Sequence, residues 1–274
     1  MYLEFMISNV LTFDIETAPD IDAGRRIYGL EDLSDADVAE AMFGKRREET
    51  GNSDFLRHHL HRVITISAVL RRGDAVRVWS LGDDGSDEAD LIQRFYDGID
   101  KFTPTLVSWN GAQFDLPVLH YRALVHGVSA PRYWEIGNDD REFRWNNYLN
   151  RFHWRHIDLM DVLSGYQARA TASLSEAAII LGLPGKMGMG GAQVWEYYLA
   201  GKIEEIRNYC ETDVLNTYLI YLRWELIRGN LDQAGWEYEQ QLVRDTLAAG
   251  ARPHWTAFLE VWDRHAKLQG TSFK

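Results

Sequence analysis

The stretch VLTFDIET, residues 10–17, is the part of the sequence that decides the fold. It predicts a β-strand, in which successive side chains point to opposite faces of a sheet. Phe13 and Ile15 are therefore expected on a buried face, whereas Asp14 and Glu16 share the other face. Neighbouring carboxylates on a mostly apolar strand repel each other unless a cation compensates them. The pair predicts a site for a hard, oxygen-ligated ion such as Mg²⁺ or Mn²⁺, and a solvent-facing strand end is the alternative.

A mixed α/β pattern surrounds this strand. Two runs, 63–70 and 75–80, predict a hairpin in which Gly73 supplies the turn. The segments that follow are a helix, a strand, a helix and then further helices, predicted at 88–101, 105–109, 115–126, 192–200, 203–227, 236–249 and 255–268. Ser173 and Glu176 also have the spacing of a helix-capping box.

The domain organisation follows from this order. Residues 1–228 are predicted to form one domain, with the polar stretch at about 20–60 as an insertion. Residues 229–274 are predicted to form a helical carboxyl-terminal extension packed on the same domain. We find no internal repeat and no low-complexity tract.

Composition and charge exclude several classes of protein. The 274 residues are 46% hydrophobic, and no apolar run approaches the length of a membrane-spanning helix. The single cysteine, Cys210, excludes an intramolecular disulfide and multi-cysteine zinc sites, and it is typical of a reducing compartment. With no recognisable export signal, the sequence predicts a cytoplasmic protein without membrane association.

The net charge of −12 does not exclude a nucleic-acid partner, because the acidic residues are concentrated at 31–40 and 82–100. The segment 141–156, REFRWNNYLNRFHWRH, combines arginines with aromatic residues. Such a composition is typical of surfaces that bind single-stranded nucleic acid. We therefore predict that Arg144, Arg151 and Arg155 lie along a substrate path, which Trp145 and Trp154 could line; an ordinary helix surface is the alternative.

Two further carboxylates come from later motifs. Asp115 opens a helix after SWNGAQF, where an aspartate is commonly only a helix cap. In YCETDVLNT, Tyr209 and Asp213 are four residues apart on one helix and share a face. A surface pair is the alternative for these two residues.

In combination, the motifs FDIET, SWNGAQFDLPVLHYR and YCETDVLNT resemble, in this order, the Exo I, Exo II and Exo III motifs of the DEDD 3′–5′ exonucleases. A tyrosine four residues before the last aspartate is typical of the DEDDy branch. LGLPGKMG and YCETDVLNTYLIYLR are especially similar to predicted stand-alone exonucleases related to the proofreading domain of family-B DNA polymerases. The resemblance covers about residues 10–225, and no polymerase palm motif is present.

The resemblance implies an α/β, ribonuclease-H-like fold: a mixed sheet of three antiparallel strands followed by parallel strands, flanked by helices. It also implies hydrolysis with two Mg²⁺ or Mn²⁺ ions. Asp14 would bridge both ions, Glu16 and Asp213 would complete the tighter site, and Asp115 would support the second ion directly or through water. Tyr209 would orient the attacking water.

Three substrate-binding residues are implied by the same resemblance. Lys186 would contact the scissile phosphate, and Asn110 and Phe114 would contact the sugar or stack on the terminal base. A solvated loop lysine, a strand-end asparagine and a core phenylalanine are the respective alternatives. Asp158 and Asp161 are interpreted as helix caps or surface acids, with a supporting role at the site as the alternative.

The sequence thus predicts a metal-dependent 3′–5′ exonuclease that releases nucleoside 5′-monophosphates from single-stranded nucleic acid. Kinship with proofreading domains favours DNA, and a role in DNA repair, over an exoribonuclease. A catalytically silent nucleic-acid-binding module on the same fold is the alternative from another class. Zinc bound by His58, His59, His61, His153 or His156 has no supporting ligand spacing. Protein partners and oligomeric state stay open.

Overall fold

A five-stranded mixed sheet forms the centre of the computed structural model, which describes residues 9–83 and 85–268. The strands, in chain order, are β1 (Val10–Pro19), β2 (His61–Arg72), β3 (Ala75–Ser80), β4 (Thr105–Ser108) and β5 (His156–Asp158). Their order in the sheet is β3-β2-β1-β4-β5, in which β1 to β3 are antiparallel neighbours while β4 and β5 run parallel to β1. This topology confirms the predicted ribonuclease-H-like α/β fold.

Helices surround the sheet on both faces. They are α1 (Ile21–Tyr28), α2 (Asp35–Thr50), α3 (Glu88–Phe102), α4 (Asp115–His126), α5 (Leu159–Leu163), α6 (Leu174–Ile180), α7 (Val194–Leu199), α8 (Ile203–Ile227), α9 (Gln233–Gly250) and α10 (Pro253–Leu268). None of the described helices is both long and apolar enough to span a membrane. The ends of the predicted domains, residues 1–8 and 269–274, and Asp84 of the acidic stretch lie outside the described residues.

The alternation of β1 divides the interior into two cores. Leu11, Phe13 and Ile15 point into a core shared with α3 and α4. Val10 points into the core on the other face, which α8, α9 and α10 cover. The even-numbered residues of β1, including Asp14 and Glu16, therefore face α8, as the period of two predicts.

The turn and the helix cap that the sequence predicts are both present in the structure. Gly73 has a φ of 55° in the β2–β3 turn, and Gly127 has a φ of 66° after the last residue of α4. Both values are in the left-handed region, which glycine adopts without steric cost. The capping box of Ser173 and Glu176 is present at the start of α6.

The predicted insertion contains two helices that the sequence pattern did not indicate. The buried residues Val38 and Met42 of α2 pack with Leu56 and Leu60 in a small core, against which Tyr28 of α1 is partly buried. Only a few positions of α2 are buried, so most of its residues are polar. Its apolar residues therefore do not recur with a strong helical period, and the sequence did not indicate the helix.

The carboxyl-terminal helices are buried against the same sheet face as α8. Val243 of α9 and Phe258 of α10 are fully buried in the core that contains α8. A buried ion pair between Arg71 of β2 and Glu239 of α9, 2.7 Å long, joins this part of the chain to the sheet.

Candidate active site

The site lies where β1 continues beyond its neighbour β4. Parallel pairing between the two strands ends at Thr12 and Val107, and further along β1 pairs only with β2. The backbone N–H of Ile15 lies on the open edge and donates to Oδ1 of Asp115 at 3.1 Å. This hydrogen bond holds Asp115 against the strand that carries Asp14, although the two aspartates are far apart in the sequence.

Asp115 is not the cap of α4. It is the first residue of the helix, and the capping position belongs to Phe114, which makes no side-chain cap. The Asp115 carboxylate instead accepts hydrogen bonds from backbone N–H groups, including that of Ile15. Burial raises the pKa of Asp115 to about 7, and the charge of Asp158 adds to this rise.

Asp14 and Glu16 point toward α8 and lie against Cys210. One carboxylate oxygen of each and the Cys210 sulfur all lie within 4.8 Å of one another. Burial raises the pKa of both carboxyls well above the usual range, and the charges of Asp115 and Asp213 raise it further. A low-dielectric environment and like charges both disfavour ionised carboxylates.

Tyr209 and Asp213 are brought to the same cluster by α8. Burial raises the pKa of Asp213 to about 6, whereas a hydrogen bond with the Tyr209 hydroxyl and the charge of Lys186 oppose this rise. Burial and the nearby carboxylates raise the pKa of Tyr209 above its usual value. The phenol therefore stays protonated at neutral pH and can donate a hydrogen bond.

The donor set of this cluster fits hard divalent cations. Asp14, Glu16, Asp115 and Asp213 affect one another electrostatically and provide only oxygen atoms, the ligands that Mg²⁺ and Mn²⁺ prefer. Glu16 is only 9% exposed, and burial together with the charges of Asp213 and Asp115 disfavours its ionised form. A bound cation would offset that cost of ionisation.

Lys186 lies in the loop between α6 and α7, with its side chain exposed. Its positive charge lowers the pKa of Glu16 and Asp213, which locates the ammonium group near both carboxylates. The loop is fixed to α8 because Asn216 bonds both the N–H and the carbonyl oxygen of Gly185, at 3.1 and 2.9 Å. The position of Lys186 is therefore set by the helix that also carries Tyr209.

Asn110 and Phe114 flank Asp115 in the chain, and both contact groups other than the carboxylate cluster. Asn110 has a φ of 66°, and its N–H donates to Asp158 at 2.9 Å. Phe114 packs against Phe55 and His61, with ring centroids 5.2 Å apart in both pairs.

Asp158 combines a helix cap with support for the loop before α4. Its carboxylate accepts from the N–H groups of Met160 and Asp161 at the start of α5 and from those of Asn110 and Ala112. The interpretation of Asp158 as a cap is therefore confirmed. Asp161 is buried and accepts from Arg151 at 2.7 and 2.8 Å, so it is not a surface acid.

The arginines of segment 141–156 are bound by the protein itself. Besides the pairing of Arg151 with Asp161, Nε of Arg144 donates to the carbonyl oxygen of Gly137, and the Arg155 guanidinium stacks 4.1 Å from the Phe143 ring centroid. All three arginines therefore have interaction partners within the protein itself.

Three histidines of the zinc alternative make hydrogen bonds to other groups of the protein. His61 contacts the Thr17 hydroxyl, His153 accepts from Asn147, and His156 contacts Ser108. In the part of the chain that the structure describes, the only group of metal-ligand type is that of Asp14, Glu16 and Cys210.

Two functional neighbours were missed by sequence reasoning. The Cys210 thiol donates to the backbone oxygen and to Oδ2 of Asp14, both at 3.4 Å. Glu211 lies two residues from Tyr209 on α8 and binds Arg252, just before α10, and Trp255 of α10. The only available signal was their position between Tyr209 and Asp213, which does not reveal partners distant in sequence.

Comparison with known families gives one match that covers most of the chain. Residues 53–262 match the family model described as "Predicted 3'-5' exonuclease related to the exonuclease domain of PolB".

Similar proteins include the catalytic subunits of DNA polymerase epsilon from Saccharomyces cerevisiae, 26% identical over 147 residues, and from Dictyostelium discoideum, 27% identical over 141 residues. These alignments cover 51% and 50% of this chain but 6% of each relative. Among solved structures, the family B DNA polymerase of the archaeon Pyrobaculum calidifontis aligns with a TM-score of 0.46 and 19% identity, covering 89% of this chain and 29% of that one.

Proposed function

Because the chain belongs to the family of predicted 3′–5′ exonucleases related to the exonuclease domain of PolB, we propose that it hydrolyses single-stranded nucleic acid from the 3′ end to nucleoside 5′-monophosphates. The observation that supports this most strongly is the convergence of Asp14, Glu16, Asp115 and Asp213 beside the protonated Tyr209. These residues come from the central strand β1 and from helices α4 and α8, which pack on opposite faces of the sheet.

The four carboxylates are proposed to hold two Mg²⁺ or Mn²⁺ ions. Such ions activate a water molecule and stabilise the charge that develops on the leaving 3′ oxygen. The scissile phosphate would lie between α4 and α8, where Lys186 would neutralise part of its charge. The Tyr209 hydroxyl would hold the attacking water in line, while Asn110 and Phe114 would bind the terminal nucleotide.

DNA is the proposed substrate, on the basis of similarity to polymerase-associated exonucleases. An exoribonuclease is a second candidate, because the carboxylates would act through metal ions on the phosphate, which DNA and RNA have in common. A catalytically silent module is disfavoured by the raised pKa values of the cluster, since burying repelling carboxylates lowers stability without a benefit for binding alone. We further propose a cytoplasmic protein in which residues 1–228 form the exonuclease domain and 229–274 its extension.

Mg²⁺ or Mn²⁺ is expected to support the release of mononucleotides from 3′ ends, and a chelator is expected to stop it, because the ligands are hard oxygens. The measurement uses end-labelled single-stranded DNA and RNA of the same sequence, resolved to single nucleotides. Glu260→Gln, which changes an exposed acid on α10, serves as the control and should keep full activity. Hydrolysis that persists in excess chelator would contradict the metal requirement, and a preference for RNA would select the second candidate.

Tyr209→Phe is expected to slow the chemical step by about 10²-fold or more, the usual contribution of a positioned proton-transfer or water-orienting group. Strand affinity should change little, because only the hydroxyl is removed. Single-turnover rates in Mn²⁺ and affinities in Ca²⁺ separate the two effects.

Tyr221→Phe is the matched control, since Tyr221 is another buried tyrosine of α8, outside the proposed site. An unchanged single-turnover rate in Tyr209→Phe would remove the hydroxyl from the mechanism.

A further inference from the structure

Helix α10 forms one wall of a cavity that reaches the proposed catalytic residues. The cavity has a volume of about 710 Å³. Lys186 lies on one side of it and Tyr209 on another, while α10 contributes His254, Ala257 and Val261. The cavity therefore adjoins the carboxylate cluster, because Tyr209 lines the cavity and its hydroxyl is hydrogen-bonded to Asp213.

This wall is held in place near both of its ends. Glu211 of α8 is 2% exposed and accepts hydrogen bonds from Arg252 and from the Trp255 indole, each at 3.0 Å. At the other end of α10, Nδ1 of His265 lies 3.0 Å from the carbonyl oxygen of Leu183, in the segment that leads to the Lys186 loop. The cavity is thus preformed, as ligand sites usually are.

The lining suits a nucleobase. Met187, Met189 and Tyr197 provide apolar and aromatic surface, and Asn208 provides an amide. Among the described residues, that amide has no hydrogen-bond partner, so it is available to the polar edge of a base. Stacking of bases on aromatic side chains holds single strands without selecting a sequence, as an exonuclease that degrades strands of any sequence requires.

The positions of α4 and α8 on opposite faces of the sheet indicate the direction in which a nucleic-acid strand would run. The proposed site for the terminal nucleotide, at Asn110 and Phe114, precedes α4, which packs on one face of the sheet. Tyr209 belongs to α8, on the opposite face. A scissile phosphate at the cluster, to which α4 contributes Asp115 and α8 contributes Asp213, would therefore have the terminal nucleotide on the α4 side and the rest of the strand on the α8 side.

We propose that the cavity between α8, the Lys186 loop and α10 receives the nucleotides upstream of the scissile phosphate. The inference rests on the proposed function and adds a role for the carboxyl-terminal helix, which becomes part of the substrate-binding surface. The positive charge of Lys186 stands where the backbone phosphate would pass from the cluster into the cavity.

Ala257→Trp tests the inference by filling the cavity from the α10 side. Affinity for a short fluorescein-labelled oligothymidylate, measured by anisotropy in Ca²⁺, should fall by about tenfold or more, the loss expected when one stacked base is displaced. Glu260→Trp places the same indole on an exposed position of the same helix and should bind as the wild type does. The Mn²⁺-induced rise in melting temperature should be equal in all three proteins.

Val261→Trp serves as a second filling variant if Ala257→Trp does not fold. Wild-type strand affinity in a folded filling variant would overturn the inference and leave the proposed function intact. A loss of affinity for thymidine 5′-monophosphate alone, with strand binding unchanged, would make the cavity a product site and would also overturn it. If the wild type neither binds nor hydrolyses the strand, the proposed function itself fails.

Discussion

Replacing Asp14 by alanine is expected to reduce hydrolysis by roughly a hundredfold or more while leaving the metal-free protein at least as stable as the wild type. The loss of activity follows from removing the carboxylate that interacts with the other three. The unusual effect on stability follows from burial and from the charges of Asp115, Glu16 and Asp213, which all raise the pKa of Asp14. Removing one of four repelling carboxylates relieves part of that cost.

The dependence on pH has a defined sign. A carboxyl group whose pKa is raised by folding favours the protonated form, so it lowers stability at pH values above its unfolded pKa. This cost grows as pH rises toward the folded pKa, which is about 6 for Asp213 and about 7 for Asp115. In chelator, the advantage of Asp14→Ala over the wild type should therefore be larger at pH 8 than at pH 5.

Melting curves with and without Mn²⁺ provide the measurement. An ion that binds only the folded state at a hundredfold excess over its Kd stabilises the protein by about 2.7 kcal/mol, and the variant should gain much less than the wild type. Asp87→Ala is the contrasting control, because Asp87 caps α3 and its loss should cost about 0.5–2 kcal/mol. Equal metal-induced shifts in Asp14→Ala and wild type would show that Asp14 is not a ligand.

Glu239→Ala should lower the free energy of unfolding by about 3–5 kcal/mol, the largest effect on stability that we expect from one substitution. Arg71 and Glu239 are 0% and 1% exposed and are joined by two hydrogen bonds of 2.7 Å. The variant leaves a buried guanidinium without its carboxylate, and such an uncompensated charge is costly. Urea titration measures the change.

The double variant Arg71→Met with Glu239→Met separates the charge from the packing. Replacing both partners by apolar side chains should restore most of the stability, because neither charge then needs a partner. The exposed pair of Arg94 and Asp90 on α3 is the control, and Asp90→Ala should change the stability little, because solvent screens an exposed ion pair. A loss in Glu239→Ala no larger than this would show that the pair contributes little.

Local patterns predicted much of the fold. The bounds of α8, Ile203–Ile227, agree with the predicted 203–227, and β3 agrees with the predicted 75–80. In both segments the apolar period and the flanking turn residues indicate the same structure. Strand β1 continues to Pro19, beyond the predicted stretch, because its pairing with β2 extends past the acidic residues. That pairing is a property of the partner strand and is not visible in the residues of β1.

Contacts between distant segments explain what the sequence could not predict at the site. The alternation in β1 correctly placed Asp14 and Glu16 on one face, and helical spacing correctly placed Tyr209 beside Asp213. The hydrogen bond from Ile15 to Asp115 depends on where β4 ends, which the motif alone does not specify. Likewise, Arg151 reads as a free cation in sequence, and its buried partner Asp161 becomes apparent only when the loop folds back.

The contacts across long sequence separations also determine when the site can form during synthesis. Ile15 and Asp115 are 100 positions apart, and Asp14 and Cys210 are 196 positions apart. A chain grows from its amino terminus, so Asp14 and Glu16 leave the ribosome long before α8 exists. All four carboxylates are present only after synthesis has passed Asp213, about 200 residues beyond Asp14. The full set of proposed ligands is therefore assembled late, after the strands of the central sheet have been synthesised.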